Sequence, residues 1–224
     1  MTQRSQINPD PSTRFRGATV ELLIVRHAQP ERVSVSAGSA DPDLTPLGLR
    51  QAAALAEWVA RDRSRLPVRV VSSTMCRARQ TAEVVAERCG LGVETDARLA
   101  EFDLGSSEYV PLELAGEKLL QRAGAALTTG VWGNHTFDPE DFRRRVRTGF
   151  DEIVREPGPG RVVVVCHGGV LNSFLGDVIG RPPGVFFMPR YTSVSRVFVD
   201  AAGERQLGSL NELPHASGAS DLTF

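Results

Sequence analysis

The amino-acid sequence predicts an α/β protein, a three-layer α/β/α sandwich built on a mainly parallel sheet. Two observations predict it. The runs Val20 to Val25 (VELLIV), Val68 to Val71 and Val162 to Cys166 are short and nearly all apolar, the pattern of strands covered on both faces. Segments of helical periodicity lie between and after these runs, so strand and helix alternate along the chain.

The elements follow in order. Met1 to Gly17 mix Arg, Asp, Asn, Pro and Ser without an apolar run, so residues 1–17 are expected to be a flexible tail that matches neither a secretory signal nor a membrane anchor. After the VELLIV strand, Thr45 can cap a helix with Pro46 at its first position. Leu49, Ala52, Ala53, Ala56 and Val59 are expected on its inner face. A second helix is expected from about Met75 to Arg88, stopping at Cys89-Gly90 with Gly90 as C-cap, and then a short strand near Leu91 to Thr95. Asp138-Pro139 opens a third helix whose Phe142, Val146, Phe150 and Ile153 form an apolar stripe. Its Arg143, Arg144, Arg145 and Arg147 read as a solvated face. Gly168-Gly169 leads into a helix to about Val178, and Thr192 to Val199 and Arg205 to Leu210 read as late strands joined at Gly203. The expected organisation is one domain over 18–215 with an inserted lid at about 106–137, and a loose tail at 216–224.

Composition narrows the function classes. The 224 residues are 41% hydrophobic and 24% charged with a formal net charge of -1, so no global field recommends nucleic acid or an anionic membrane as partner. Basic residues are almost all arginine, Lys118 being the only lysine, and arginine recognises phosphate bidentately. Cys76, Cys89 and Cys166 are odd in number and lack CxxC spacing. They fit reduced thiols in the cytoplasm better than a disulfide framework or a zinc cluster. No stretch approaches the roughly 18 apolar residues of a membrane span.

The chemistry is concentrated where apolar runs end, because open parallel sheets bind ligands at the carboxyl ends of their strands. Arg26-His27 follows LLIV, Ser72-Ser73 with Arg77 follows VRVV, and His167-Gly168-Gly169 follows VVVVC. One histidine after a strand is commonly structural. Two histidines and two arginines at equivalent positions describe a pocket for a dianionic phosphate. Arg26 and Arg77 would fork onto its oxygens, and Gly168 and Gly169 would let backbone and a helix N-terminus approach. A neutral imidazole with one ring nitrogen fixed by a hydrogen bond can direct the other at phosphorus. The surrounding positive charge would stabilise the transferring phosphoryl group.

These residues carry a resemblance. LLIVRHAQP is similar to the RHG motif of the histidine phosphatase (phosphoglycerate-mutase-like) superfamily. SSTMCRARQTAE resembles its S-S-x-x-x-R-A-x-Q-T-A segment, ADPDLTPLGLRQA its D-x-x-L-T-x-x-G-x-x-Q-A stretch, and VVVVCHGGV its late H-G-G segment. Leu210-Asn211 with His215 is similar to the closing L-N-D-x-x-H. The resemblance implies a phosphoglycerate-mutase-like fold and a phosphomonoester hydrolase that works through a phosphohistidine on a small phosphorylated metabolite. His27 would be the nucleophile, and Arg26, Arg77, His167 and Gly168 would hold the phosphate. Glu101 in RLAEFDLG matches the family's general acid, and chemistry agrees: an alkoxide must be protonated, and a partly buried carboxyl keeps its proton near neutral pH. Asp103 is the rival acid.

Departures from the pattern carry information too. Ala28 stands where the family has glycine, which would crowd the phosphate loop, and SSEY from Ser106 replaces W-E-G while retaining Glu108. The W-N pair and R-x-x-G of glycolytic mutases are absent, which argues against a phosphoglycerate mutase. The alternatives are a catalytically degenerate phospho-ligand binder, a phosphomutase, and a metallohydrolase using His27, His135 and His167. The last lacks HxH or HExxH spacing, and Arg26 and Arg77 already supply the charge a metal would bring. No metal or other cofactor is therefore expected. The lid would select the substrate, and Tyr109, Leu112, Leu114, Leu119, Leu120 and Trp132 hint at an apolar component, although packing explains most of them equally well. The sequence assigns no oligomeric state and leaves a homodimer open.

Overall fold

The structure is a computed structural model and describes residues 18–111, 124–155 and 160–216. The expected N-terminal tail lies outside these residues. So do 112–123 of the expected lid, with Leu112, Leu114, Leu119 and Leu120, and the C-terminal tail beyond Ala216. Among the described residues no helix is long and apolar enough to cross a membrane.

In chain order the strands are β1 (Ala18–Arg26), β2 (Val33–Ser34), β3 (Pro67–Ser73), β4 (Val93–Asp96), β5 (Glu108–Tyr109), β6 (Val131–Trp132), β7 (His135–Thr136), β8 (Gly160–Cys166), β9 (Val194–Asp200) and β10 (Arg205–Glu212). The main helices are α1 (Pro46–Arg61), α2 (Cys76–Cys89), α3 (Pro139–Arg155) and α4 (Gly168–Val178). Six strands form one sheet in the order β10-β9-β1-β8-β3-β4. β1, β8, β3 and β4 run parallel, whereas β9 is antiparallel to β1 and β10 antiparallel to β9.

β1 shows why its sequence is apolar without alternation. Leu22 and Ile24 enter a core with Val146 and Phe150 of α3 and Leu171 and Phe174 of α4. Leu23 and Val25 enter a second core, on the other face, with Leu55 and Val59 of α1 and Ala82 and Val85 of α2. Both faces are covered, so the three-layer expectation holds. The rings of Phe150 and Phe174 stack at 3.7 Å and lock α3 to α4. Glu21, the one polar interruption, is buried but fully compensated: Arg65, Arg161 and Arg196 donate to it at 2.9, 2.8 and 2.7 Å.

Local signals set the helix ends. The Thr45 side chain accepts from the Gly48 amide and Pro46 opens α1. Gly90 closes α2 in the left-handed region at φ 72°, where it lacks the steric cost of a Cβ. The Asp138 carboxylate accepts from the amides of Glu140 and Asp141 to start α3.

Three expectations are corrected. Leu49 is 49% exposed and Ala53 is also on the solvent side, while Leu55 is fully buried. The buried stripe of α1 is Ala52, Leu55, Ala56 and Val59, because packing against α2 rotates the inner face away from Leu49. β9 begins at Val194 rather than Thr192, since Thr192 takes a positive φ of 56° in the preceding turn. Finally, Arg145 of α3 is not part of a solvated face, for reasons given below.

Candidate active site

β1 and β8 lie side by side with β3 next, and their carboxyl ends open on one crevice. The His27 amide bonds the Cys166 carbonyl at 2.9 Å, which carries the β1–β8 pairing one residue past the strands. His27 and His167 therefore face each other, with ring centroids 5.1 Å apart. Both are buried.

The His27 ring is fixed by its neighbour. Nδ1 lies 2.7 Å from the Ala28 carbonyl oxygen. A carbonyl only accepts, so Nδ1 carries the proton and Nε2 keeps its lone pair. Burial, then the charges of Arg77 and Arg26, push the His27 pKa well below its ordinary value of 6.5. The ring is neutral at pH 7. Arg77 Nε stands 3.4 Å from His27 Nε2 on the cavity side. The His27–Ala28 turn is pinned to α2 through Thr81, whose hydroxyl accepts from the Ala28 amide at 3.0 Å and donates to the Arg77 carbonyl at 2.8 Å. Ala28 does not crowd the site. It is buried with Leu44 and Ala52 in a small apolar cluster, and it is absent from the cavity lining.

The two arginines rest on aromatic rings. Arg26 lies 4.0 Å over Tyr191 and gives Nη1 to the Pro189 carbonyl at 2.6 Å. Arg77 lies 4.5 Å over Tyr109 and gives Nη2 to the two oxygens of Asp103 at 3.0 and 3.2 Å. Each keeps one buried nitrogen without a hydrogen-bond partner, Nε of Arg26 and Nη1 of Arg77, and so does His167 at Nδ1. Buried donors are seldom left so. Two of them, on Arg26 and Arg77, belong to residues lining one cavity and describe a receptor for an anion. The other nitrogen of His167 is held by Ser73 at 2.8 Å, which gives a role to the serine pair after β3.

Glu101 faces this group from a short helical turn at Ala97–Leu99. Its carboxylate accepts from the Gly169 amide at 2.6 Å and the Phe102 amide at 3.0 Å. Burial and the charge of Asp103 nevertheless push its pKa up to about 7. Here the glycine expectation shifts. A Cβ on Gly169 would sit 2.3 Å from Glu101 Oε1 and 2.6 Å from the Phe102 ring, whereas one on Gly168 would meet only Pro189 at 3.6 Å. The position that cannot bear a side chain is Gly169, and its amide is spent on Glu101 rather than left for an anion. Gly168 lines the cavity.

Arg26, His27, Arg77, Glu101, Asp103 and Gly168 line one cavity, with Phe102, Tyr109, Val110, Trp132, Val185 and Met188 forming the rest of its wall. His135 is absent from that lining and sits on the β6–β7 hairpin beside Gly105. Among the described residues no three His, Cys, Asp or Glu side chains converge as a metal site.

The chain belongs to the histidine phosphatase superfamily. The model of its branch 1 matches residues 22–212. A probable phosphoglycerate mutase, GpmB, of Yersinia enterocolitica is 31% identical over 170 residues, covering 73% of this chain and 77% of that protein. A mycobacterial glucosyl-3-phosphoglycerate phosphatase superposes with a TM-score of 0.65 at 26% identity, covering 86% of this chain and 99% of its own. A phosphoglycerate mutase of Bacillus anthracis shares the fold with a TM-score of 0.66 at 19% identity, over 89% and 96% of the two chains. The histidine phosphatase motifs gain physical roles in this chain. Besides Arg77 and Thr81, the R-A-x-Q-T-A segment supplies Gln80, which holds the Leu44 amide and the Asp43 carboxylate. Asn211 and His215 brace the turn under Arg26: Asn211 accepts from the Arg190 amide and donates to the Met188 carbonyl, and His215 bonds the Thr192 hydroxyl.

Two contributors were not foreseen from sequence. Tyr191, the platform for Arg26, lies in an unremarkable loop, and only its aromatic character before β9 hinted at it. Arg145 donates to the carbonyls of Ala97, Arg98 and Ala100, the turn that presents Glu101. Arg144 and Arg147 behave as expected of surface charges, pairing with Asp141 and Asp177 at 68% and 55% exposure, whereas Arg143 is 24% exposed and ties α3 to α4 through Asp177.

Proposed function

We propose that the protein hydrolyses phosphomonoesters of small metabolites through a phosphohistidine on His27. The observation that carries this reading is the fixed, neutral His27, with Nε2 beside Arg77 and a carboxyl of raised pKa across the same cavity. In the first step Nε2 attacks phosphorus and the P–O bond to the leaving group breaks, while protonated Glu101 gives its proton to the departing oxygen. Arg26, Arg77 and His167 hold the phosphoryl oxygens as charge shifts onto them. In the second step the Glu101 carboxylate takes a proton from water, which displaces the phosphoryl group from Nε2 as inorganic phosphate. Asp103, engaged with Arg77, acts as its counter-ion, and this supports Glu101 as the acid. No step uses a metal.

Transfer of the phosphoryl group to a second substrate oxygen, instead of water, is the reading favoured by the 31% identity to a probable phosphoglycerate mutase. A panel of phosphorylated sugars, acids and nucleotides, assayed with and without chelator, separates the possibilities. Release of inorganic phosphate unaffected by chelator supports the proposal. Positional exchange of phosphate without release identifies a mutase, and loss of activity with chelator a metalloenzyme.

A further inference from the structure

The geometry points to a substrate whose leaving group is uncharged and apolar, and this inference rests on the phosphatase reading of the same cavity. The cations lining the cavity among the described residues are Arg26 and Arg77, gathered beside His27 at the phosphate end. One edge of Arg77 is already committed to Asp103. The acidic side chains in the same lining are Glu101 and Asp103, of which Asp103 is paired with Arg77. Among the described residues, a second anionic group on the substrate would thus find no cation beyond the two that hold the phosphate, and an unpaired buried charge is costly.

The rest of the wall is built for apolar contact. Phe102 packs edge-on to Trp132 with centroids 5.6 Å apart and stacks on Phe137 at 5.1 Å, which fixes two rings of the wall from behind. Val110, Val185 and Met188 complete the surface. Asn172, a polar side chain in this part of the lining, is consumed internally. Its oxygen accepts from the amides of Phe186 and Phe187, and its nitrogen donates to the carbonyls of Gly168 and Phe187. An alkyl or aryl group of about six to ten carbons entering there loses water-exposed surface against a preformed wall, whereas a carboxylate loses hydration without replacement.

Two measurements test this on the full chain. The first compares kcat/KM for 2-phenylethyl phosphate, propyl phosphate and 3-phosphoglycerate. The phenylethyl ester should exceed each of the others by about ten-fold or more, the discrimination an apolar pocket gives for several carbons. Trp132→Ala should erase most of that advantage while lowering the propyl ester by less than about three-fold, and Val110→Lys should raise 3-phosphoglycerate relative to the phenylethyl ester. The second measures calorimetric binding of 2-phenylethylphosphonate and 3-phosphonopropionate, which needs no turnover. Tighter binding of the phenylethyl compound by about ten-fold supports the inference even in a protein that hydrolyses nothing, which would sink only the phosphatase reading. Equal or tighter binding of the phosphonopropionate, or wild-type preference for 3-phosphoglycerate, overturns the inference itself.

Discussion

His27 Nδ1 donates to the carbonyl oxygen of Ala28, the next residue in its own chain, at 2.7 Å. The tautomer of the ring is thereby set by local backbone rather than by a carboxylate, which is the more usual partner of a functional histidine. Because no acid shares the ring's proton, burial and the flanking arginines keep it neutral.

The first prediction concerns that ring. His27→Ala should abolish turnover without unfolding the protein, because the side chain lies at the edge of the cavity and outside both apolar cores. The wild-type enzyme, quenched rapidly without acid, should yield an acid-labile, base-stable phosphoprotein that the variant does not form. Retention of full activity in the variant would remove the mechanism.

Arg77 should be required as arginine. One edge of its guanidinium engages Asp103 while Nη1, 3.8 Å from Asp41, keeps no hydrogen-bond partner, a geometry that an ammonium cannot reproduce. Arg77→Lys should lose about 10²-fold or more of kcat/KM on every substrate, on the scale of removing a donor to transition-state charge. Arg144→Lys, on the exposed face of α3, should change little. Equal losses in the two variants would place the pocket elsewhere.

Glu101 should impose a pH dependence of known sign. Its pKa is pushed up to about 7, and the protonated form is the general acid. Phosphorylation of His27 by an alkyl ester should therefore hold below pH 7 and fall as pH rises through it. The His27 pKa lies well below 6.5, so the nucleophile stays neutral across that range. With p-nitrophenyl phosphate, whose leaving group needs no proton, the first turnover should lack this fall. Glu101→Gln should slow the alkyl first turnover by about 10² to 10⁴, and p-nitrophenyl phosphate should still give a stopped-flow burst followed by slow turnover. Should Asp103→Asn behave this way and Glu101→Gln resemble wild type, Asp103 is the acid.

Gly169 and Gly168 should respond differently to a methyl group. At Gly169 it would press within 2.3 Å of Glu101 Oε1, and at Gly168 it would touch only Pro189 at 3.6 Å. Gly169→Ala should cut the alkyl-ester rate by about 10²-fold through displacement of the acid, with the p-nitrophenyl burst largely kept. Gly168→Ala should fall by less than ten-fold. Assaying both variants on both substrates checks the pair, and the reverse ranking would contradict the geometry.

The sequence by itself determined the elements and the edge on which the chemistry sits. VELLIV and VVVVC are apolar on both faces because Leu22 and Leu23 enter different cores, and a strand so buried can end only in a sheet covered by helices. Thr45, Gly90 and Asp138 marked helix ends through bonds to residues a few positions away. Such signals are local, so order along the chain preserves them. Arg26, His27, Arg77 and His167 were legible because strand ends converge in any parallel sheet.

What only the tertiary structure decided depends on distances between residues far apart in sequence. Asp103 was separable from Glu101 only when Arg77, 26 positions away, was seen to hold it. Gly169 rather than Gly168 became the constrained glycine because Glu101 and Phe102 approach it from another element. The phase of α1, with Leu55 inside and Leu49 outside, was set by where α2 packs. Arg145 left its expected solvated face for the carbonyls of the Glu101 turn. A one-dimensional pattern records the periodicity of burial, but which donor meets which acceptor is fixed only when the chain has closed on itself.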